Sequence, residues 1–251
     1  MDENCLTVDI LGIKFHKRNK EQVYEYISRA LDENTPLRIF TPNPEIVYRA
    51  TKEPELRSLL SKADLLLPDG IGVVVASRLL GEPLPCRITG IDTAEFILSE
   101  AEDRGLSVYL LGGAEGVALQ AADRLRASFP RLLISGTHHG YFASNEESAA
   151  VISDISEKRP DLLFVCLGFP AQERFILETT PEFPSVRLSV GLGGCFDVWS
   201  GNKKRAPRVM QVLGLEWLFR IASEPRRLLR VPYILGFSLA VFKQKRENKS
   251  V

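Results

Sequence analysis

Polar residues able to accept a proton or hydrogen-bond a ligand recur in this chain at one kind of place, directly after short apolar runs. Leu37-Arg38-Ile39-Phe40 leads into Thr41-Pro42-Asn43-Pro44-Glu45, and Leu65-Leu66-Leu67 into Pro68-Asp69-Gly70. Residues 107–111 lead into Gly112-Gly113, residues 162–167 into Gly168-Phe169-Pro170-Ala171-Gln172-Glu173, and residues 186–190 into a glycine-rich stretch ending at Asp197. A carboxylate such as Asp69 can serve as general base, and paired glycines let backbone N–H groups approach an anion. Each feature also has a plainer use. Asp69-Gly70 makes a good turn and helix cap, and Thr41 and Asn43 suit the cap of the next helix. Gln172 and Glu173 suit a solvated first helical turn, and Gly112-Gly113 a tight turn.

Convergence favours the functional use, and it follows from the elements around these residues. Continuous apolar runs alternate with segments of helical period, the pattern of strands covered on both faces. The expected fold is α/β and Rossmann-like: a mostly parallel sheet with helices on both faces, built from βαβ units. In such sheets ligands bind beyond the carboxyl ends of the strands, where all five polar segments fall. Residues 6–15 are expected to form a hairpin or bent strand pair, and Asn19 to cap a helix reaching about Leu31.

The alternation stops near residue 200. Residues 1–200 read as the α/β domain and residues 201–251 as a helical appendage rich in arginine and large apolar side chains. Charge divides the same way. The formal net charge is zero, yet residues 203–251 hold 12 Lys or Arg against 3 Asp or Glu. A basic tail on an acidic body suits an anionic partner: a phospholipid surface, a pyrophosphate, a nucleic acid or the body itself. Residues 228–242, LLRVPYILGFSLAVF, are apolar but too short to span a bilayer, and no signal peptide opens the sequence. Cys5, Cys86, Cys166 and Cys195 are scattered, as reduced thiols are.

Several chemistries lack their signatures. There is no GxxxxGK[ST] loop, HExxH, CxxC or DxD motif. His138-His139 is an adjacent pair that reads as loop rather than metal site. No GxGxxG supports a dinucleotide oxidoreductase. A non-catalytic nucleotide or nucleic-acid binding module fits the basic tail by charge alone, but no RNA-binding motif accompanies it.

In order along the chain stand Thr41-Pro42-Asn43, Leu67-Pro68-Asp69-Gly70-Ile71-Gly72, Arg87-Ile88-Thr89-Gly90, Leu110-Leu111-Gly112-Gly113 and Gly168-Phe169-Pro170-Ala171-Gln172-Glu173. Gly191-Leu192-Gly193-Gly194-Cys195-Phe196-Asp197, Arg205-Ala206-Pro207 and Leu213-Gly214-Leu215-Glu216-Trp217 complete the set. Together they resemble the WecG/TagA/CpsF glycosyltransferases, glycosyltransferase family 26, over about residues 6–235. Cys195, where a small residue such as Ser or Ala is expected, is a conservative departure.

The resemblance implies a bacterial, inverting transferase without metal or cofactor. It would act at the inner face of the plasma membrane as a peripheral protein, with no nucleic-acid partner, and as a possible homo-oligomer. In its TagA branch, N-acetylmannosamine passes from a UDP donor to undecaprenyl-diphosphate-linked N-acetylglucosamine, giving the linkage disaccharide of wall teichoic acid. Other branches move N-acetylmannosaminuronic acid or glucose. The resemblance points to Asp69 as base, with Thr41, Asn43 and Arg87 positioning donor or acceptor and Gly112, Gly113, Gln172 and Glu173 around the nucleotide. Arg220, Arg227 and Arg230 of a membrane-seated appendage would meet the leaving diphosphate. A surface salt bridge is the plain alternative for Arg87, and a solvated basic face for the other three. Because the sequence carries no DxD, transfer is expected to persist in EDTA; activity lost on chelation and restored by Mg²⁺ or Mn²⁺ would contradict this.

Overall fold

The computed structural model describes residues 7–142 and 144–248. Along the chain run β1 (Thr7–Ile10), β2 (Ile13–His16), α1 (Lys20–Asp32), β3 (Leu37–Phe40), α2 (Pro44–Lys52), α3 (Pro54–Ser61), β4 (Leu65–Leu66), α4 (Ile71–Leu80) and α5 (Gly90–Arg104). They are followed by β5 (Ser107–Gly112), α6 (Val117–Ser128), β6 (Leu133–His138), α7 (Asn145–Lys158), β7 (Leu162–Cys166), α8 (Ala171–Thr179), β8 (Leu188–Gly191) and α9 (Cys195–Trp199). Last come α10 (Arg208–Val212), α11 (Glu216–Ser223), a 3-10 segment (Pro225–Arg230) and α12 (Val231–Asn248). The alternation read from the sequence is therefore present, and the fold is α/β with a parallel sheet flanked by helices.

Two compact units emerge. One comprises the described residues within Met1–Val23, Thr41–Thr89 and Arg205–Val251; the other comprises those within Tyr24–Phe40 and Gly90–Lys204.

In the second unit five parallel strands hydrogen-bond in the order β3-β8-β7-β5-β6. β7 is buried at every residue, which explains its unbroken apolar sequence, Leu162 to Cys166. α6 packs against β5 and β6, and α8 against β7 and β8. Tyr109 lies in the core opposite Gly136, where a Cβ would come within 2.5 Å of its ring. Its hydroxyl donates to Asp154 Oδ2 at 2.7 Å, so the buried phenol keeps a partner. Burial and that carboxylate push the Tyr109 pKa well above the ordinary tyrosine value.

In the first unit, β1 and β2 form the expected antiparallel hairpin. Leu11 and Gly12 make its turn, both at positive φ. Asn19 Oδ1 accepts from Gln22 N at 2.8 Å while Gln22 Oε1 accepts from Asn19 N at 2.9 Å, a reciprocal cap for α1. His16 Nδ1 accepts the Leu66 N–H at 2.9 Å, and burial lowers its pKa.

The C-terminal segment is part of the first unit. α12 packs against α2 and α4, burying Phe237 and Val241. At Gly236 a Cβ would lie 2.3 Å from the Tyr48 ring, so only glycine lets the helix sit this close. Gln244 Oε1 accepts the Leu11 N–H at 3.0 Å. Leu235, Leu239 and Phe242, spaced along one helical face, are 60%, 72% and 52% exposed. No helix among the described residues is long and apolar enough to cross a membrane.

Cys86, Cys166 and Cys195 are free thiols, while Cys5 lies outside the described residues. Burial pushes the Cys166 thiol pKa up, as expected of an inert packed cysteine.

Candidate active site

A cavity of about 310 Å³ opens in the first unit. Its wall combines Asn43, Pro44 and Glu45 at the start of α2 with Asp69, Gly70, Ile71 and Gly72 at the start of α4. Arg87 joins them, together with Gly214, Glu216, Trp217, Arg220, Ile221, Arg227, Arg230 and Ile234 from the C-terminal segment.

Two glycines make this convergence possible. Gly70 holds a φ of +94° at the N-cap of α4, a conformation that a side chain would strain. At Gly72 a Cβ would come within 2.7 Å of Pro44 Cγ, so its absence lets the starts of α2 and α4 approach. Gly70, not Asp69, occupies the cap position, and no side chain caps α4. The half-buried Asp69 therefore stands on the cavity wall rather than serving as the cap.

Asn43 does both things the sequence allowed. Its Oδ1 accepts from Ile46 N at 3.1 Å and caps α2, and the residue also lines the cavity. Thr41 is half-buried and lies off the cavity wall.

The arginines are held by carboxylates. Arg87 Nη1 donates to Glu216 Oε2 at 2.5 Å, and Arg87 Nη2 to Gln211 O at 3.1 Å. Arg230 Nη1 lies 3.2 Å from Glu45 Oε2, and Arg227 Nε 3.0 Å from Glu224 Oε1. Burial lowers the Arg227 pKa; Glu224 opposes the shift, and Arg230 and Arg220 add to it. Among the described residues Arg220 alone of the four makes no ion pair. An incoming diphosphate would compete with a carboxylate at three of these groups and with water alone at Arg220.

The remaining residues singled out from the sequence belong to the second unit. At Gly112, φ +135°, a Cβ would fall 2.4 Å from Cys166 O. The Gly113 N–H donates to Cys166 O at 3.1 Å, and α6 begins only at Val117. These glycines thus form a tight strand-end turn, and the Gly113 N–H is committed to it. Gln172 and Glu173 do not form a solvated helical turn, being 4% and 2% exposed. Gln172 Oε1 accepts the Gly193 N–H at 2.8 Å and its Nε2 donates to Glu173 Oε1 at 2.9 Å. Together they tie α8 to the loop after β8.

His138, His139 and Glu147 offer ligand atoms within 4.8 Å of one another, so the structure adds a carboxylate to the histidine pair. His139 Nδ1 accepts from Tyr141 N at 3.4 Å, while its Nε2 faces Glu147 Oε1 at 3.4 Å. That arrangement puts the proton on Nε2, toward the carboxylate, and fits a loop staple better than a metal donor set.

Sequence reasoning placed Glu45 in a strand-end segment without giving it a role, and missed Glu216 and the apolar wall of Ile71, Trp217, Ile221 and Ile234 as cavity residues. Glu216 and Trp217 were visible only as part of a recurring motif.

The profile of the glycosyl transferase WecG/TagA/CpsF family matches residues 8–251. The chain belongs to that family. A relative from Bacillus spizizenii, named N-acetylglucosaminyldiphosphoundecaprenol N-acetyl-beta-D-mannosaminyltransferase, is 41% identical over 87% of this chain and 83% of its own. Proteins of the same name from Bacillus subtilis and Staphylococcus aureus are 35% and 36% identical, over 97% and 98% of this chain and 94% and 96% of theirs. Membership in the WecG/TagA/CpsF family gives the chain a reaction class, glycosyl transfer, and the ion-pair geometry of the cavity ranks its arginines as anion donors. With pyrophosphate as the probe of that ranking, Arg220→Ala should weaken binding about 10- to 100-fold, the worth of a charged hydrogen bond. Arg230→Ala should cost less, because Glu45 already competes for that group. Isothermal titration checks this, and equal losses would contradict the ranking.

Proposed function

We propose that this protein transfers N-acetylmannosamine from UDP-N-acetylmannosamine to undecaprenyl-diphosphate-linked N-acetylglucosamine, with inversion at the anomeric carbon. The observation that carries the reading is a carboxylate, Asp69, on the wall of one cavity with four arginines. The names of relatives at 35–41% identity supply the sugar and the acceptor.

In this reading Asp69 accepts the proton of the acceptor hydroxyl as that oxygen attacks the anomeric carbon. The bond to UDP breaks on the opposite face, and negative charge grows on the departing diphosphate. Arg220, Arg227 and Arg230 meet that charge with their N–H groups, and Arg227, the half-buried one of the three, acts in a setting less polar than bulk water. Asn43 and Arg87 orient the sugars, and the apolar wall excludes water. Thr41 acts, on this proposal, on the donor side of the reaction. An RNA-binding alternative finds less support, since the arginines gather around a carboxylate in a small cavity rather than on an open basic stripe.

The C-terminal segment from about residue 201 also suits a peripheral attachment to the anionic inner face of the plasma membrane. Leu235, Leu239 and Phe242 face outward on α12, flanked by Arg226, Lys243, Lys245 and Arg246. Each basic group near an anionic leaflet contributes about 1 kcal/mol, and inserted apolar side chains add to it.

Turnover tests the reaction. Asp69→Asn preserves shape and should lower the rate roughly 10²–10⁴-fold; near-normal turnover would remove Asp69 from the base role. Vesicle sedimentation tests the attachment. Replacing Leu235, Leu239 and Phe242 together with serine should reduce partition onto phosphatidylglycerol vesicles by more than about tenfold, and unchanged partition would rule out this face as the anchor.

A further inference from the structure

Arg87 is held at both ends. Its backbone runs beside the strand end that bears Asp69, because the Ile88 N–H donates to Pro68 O at 3.1 Å. Its side chain is held by the C-terminal segment: Glu216 Oε2 and Gln211 O take one N–H each. Gln211 is itself fixed by its Nε2 donating to Ala206 O at 2.7 Å. The Arg87 and Glu216 side chains are only 16% and 13% exposed, so this pair is far better shielded from water than an ordinary surface bridge. A guanidinium carries five N–H donors in a rigid plane. With two committed to Glu216 and Gln211, the others remain available on the cavity wall.

Glu216 opens α11, with Leu215 at the cap position and no side chain capping the helix. Its carboxylate is therefore spent on arginine, with Arg205 Nε a further 4.0 Å neighbour. Removing Glu216 would leave Arg87 with one neutral acceptor and a partly buried charge, free to swing toward Glu45 or Asp69.

We propose that Glu216 is a positioning residue for the transfer reaction, holding the Arg87 guanidinium on the cavity wall beside Asp69. The inference rests on the function proposed above. It means that seating the C-terminal segment does two things at once: it adds Arg220, Arg227 and Arg230, and it orients an arginine contributed by residues 41–89. Truncation near residue 200 would then remove more than the three arginines it deletes.

A double-mutant cycle decides the matter, using full-length protein, UDP-N-acetylmannosamine and a short-chain lipid-diphosphate N-acetylglucosamine acceptor. Arg87→Ala, Glu216→Ala and the double variant are compared in kcat, KM and UDP affinity, with Glu216→Gln as the shape-preserving variant if alanine impairs folding. Glu216→Ala is expected to lower kcat/KM about 10²-fold, the scale of a roughly 1 Å misplacement. The double variant should fall no further than Arg87→Ala alone, and Glu216→Gln should recover part of the loss. Additive losses would overturn the proposal, because Glu216 would then act independently of Arg87. Tighter UDP binding or faster turnover in either Glu216 variant would overturn it too, by showing that the carboxylate sequesters Arg87. Absence of transfer by the wild-type protein would overturn the function reading, and this inference with it; wild-type transfer with an additive cycle sinks the inference alone.

Discussion

Four guanidinium groups around one small cavity repel one another, and the architecture of the site is largely the answer to that repulsion. Glu216, Glu224 and Glu45 each take one arginine, while burial first, and Arg230 and Arg220 to a smaller degree, hold the Arg227 pKa below the arginine norm. Breaking the shielded Arg87–Glu216 pair leaves an uncompensated charge, so that pair is costly to lose even where it adds little net stability. The result is a cavity in which three of the four arginines, Arg87, Arg227 and Arg230, are already held by a carboxylate before any anion arrives. Preorganised charge of this sort stabilises a developing anion without reorganisation at the moment of reaction.

The same pairing explains why the C-terminal segment belongs to the first unit. Its sequence is basic and apolar, and each property has its own outlet. Arg227 and Arg230 line the cavity, paired with Glu224 just after α11 and with Glu45 of α2. Phe237 and Val241 seat α12 against the rest of its unit, and Gly236 lets the helix close onto Tyr48. Leu235, Leu239 and Phe242 are left facing outward.

Much of the fold was legible because unbroken apolar runs, such as Leu162 to Cys166, have few uses other than a doubly covered strand. Asn19 and the Leu11-Gly12 turn were legible because caps and turns are local chemistry. Asp69 and Arg87 were legible as candidates through motif and position. What stayed hidden was partnership. Glu216 lies 129 residues from Arg87, and nothing local in either segment marks them as a pair. Gly112-Gly113 shows the same limit from the other side. The need for glycine was plain, but the receiver of the Gly113 N–H is Cys166 O, a strand neighbour that only the sheet order reveals. Gln172 and Glu173 open α8 like any polar first turn, and only the loop after β8, folding over them, makes them buried.

The outward stripe on α12 also governs how the protein behaves in a test tube. Three large exposed apolar side chains along one helical face, with Leu228 and Leu229 also exposed in the segment before the helix, are more apolar surface than a single scattered leucine would give. In plain buffer the nearest surface of matching character is the same stripe on another molecule. Clustering at high protein concentration that mild detergent reverses would therefore be the expected consequence of this helix face rather than a sign of misfolding.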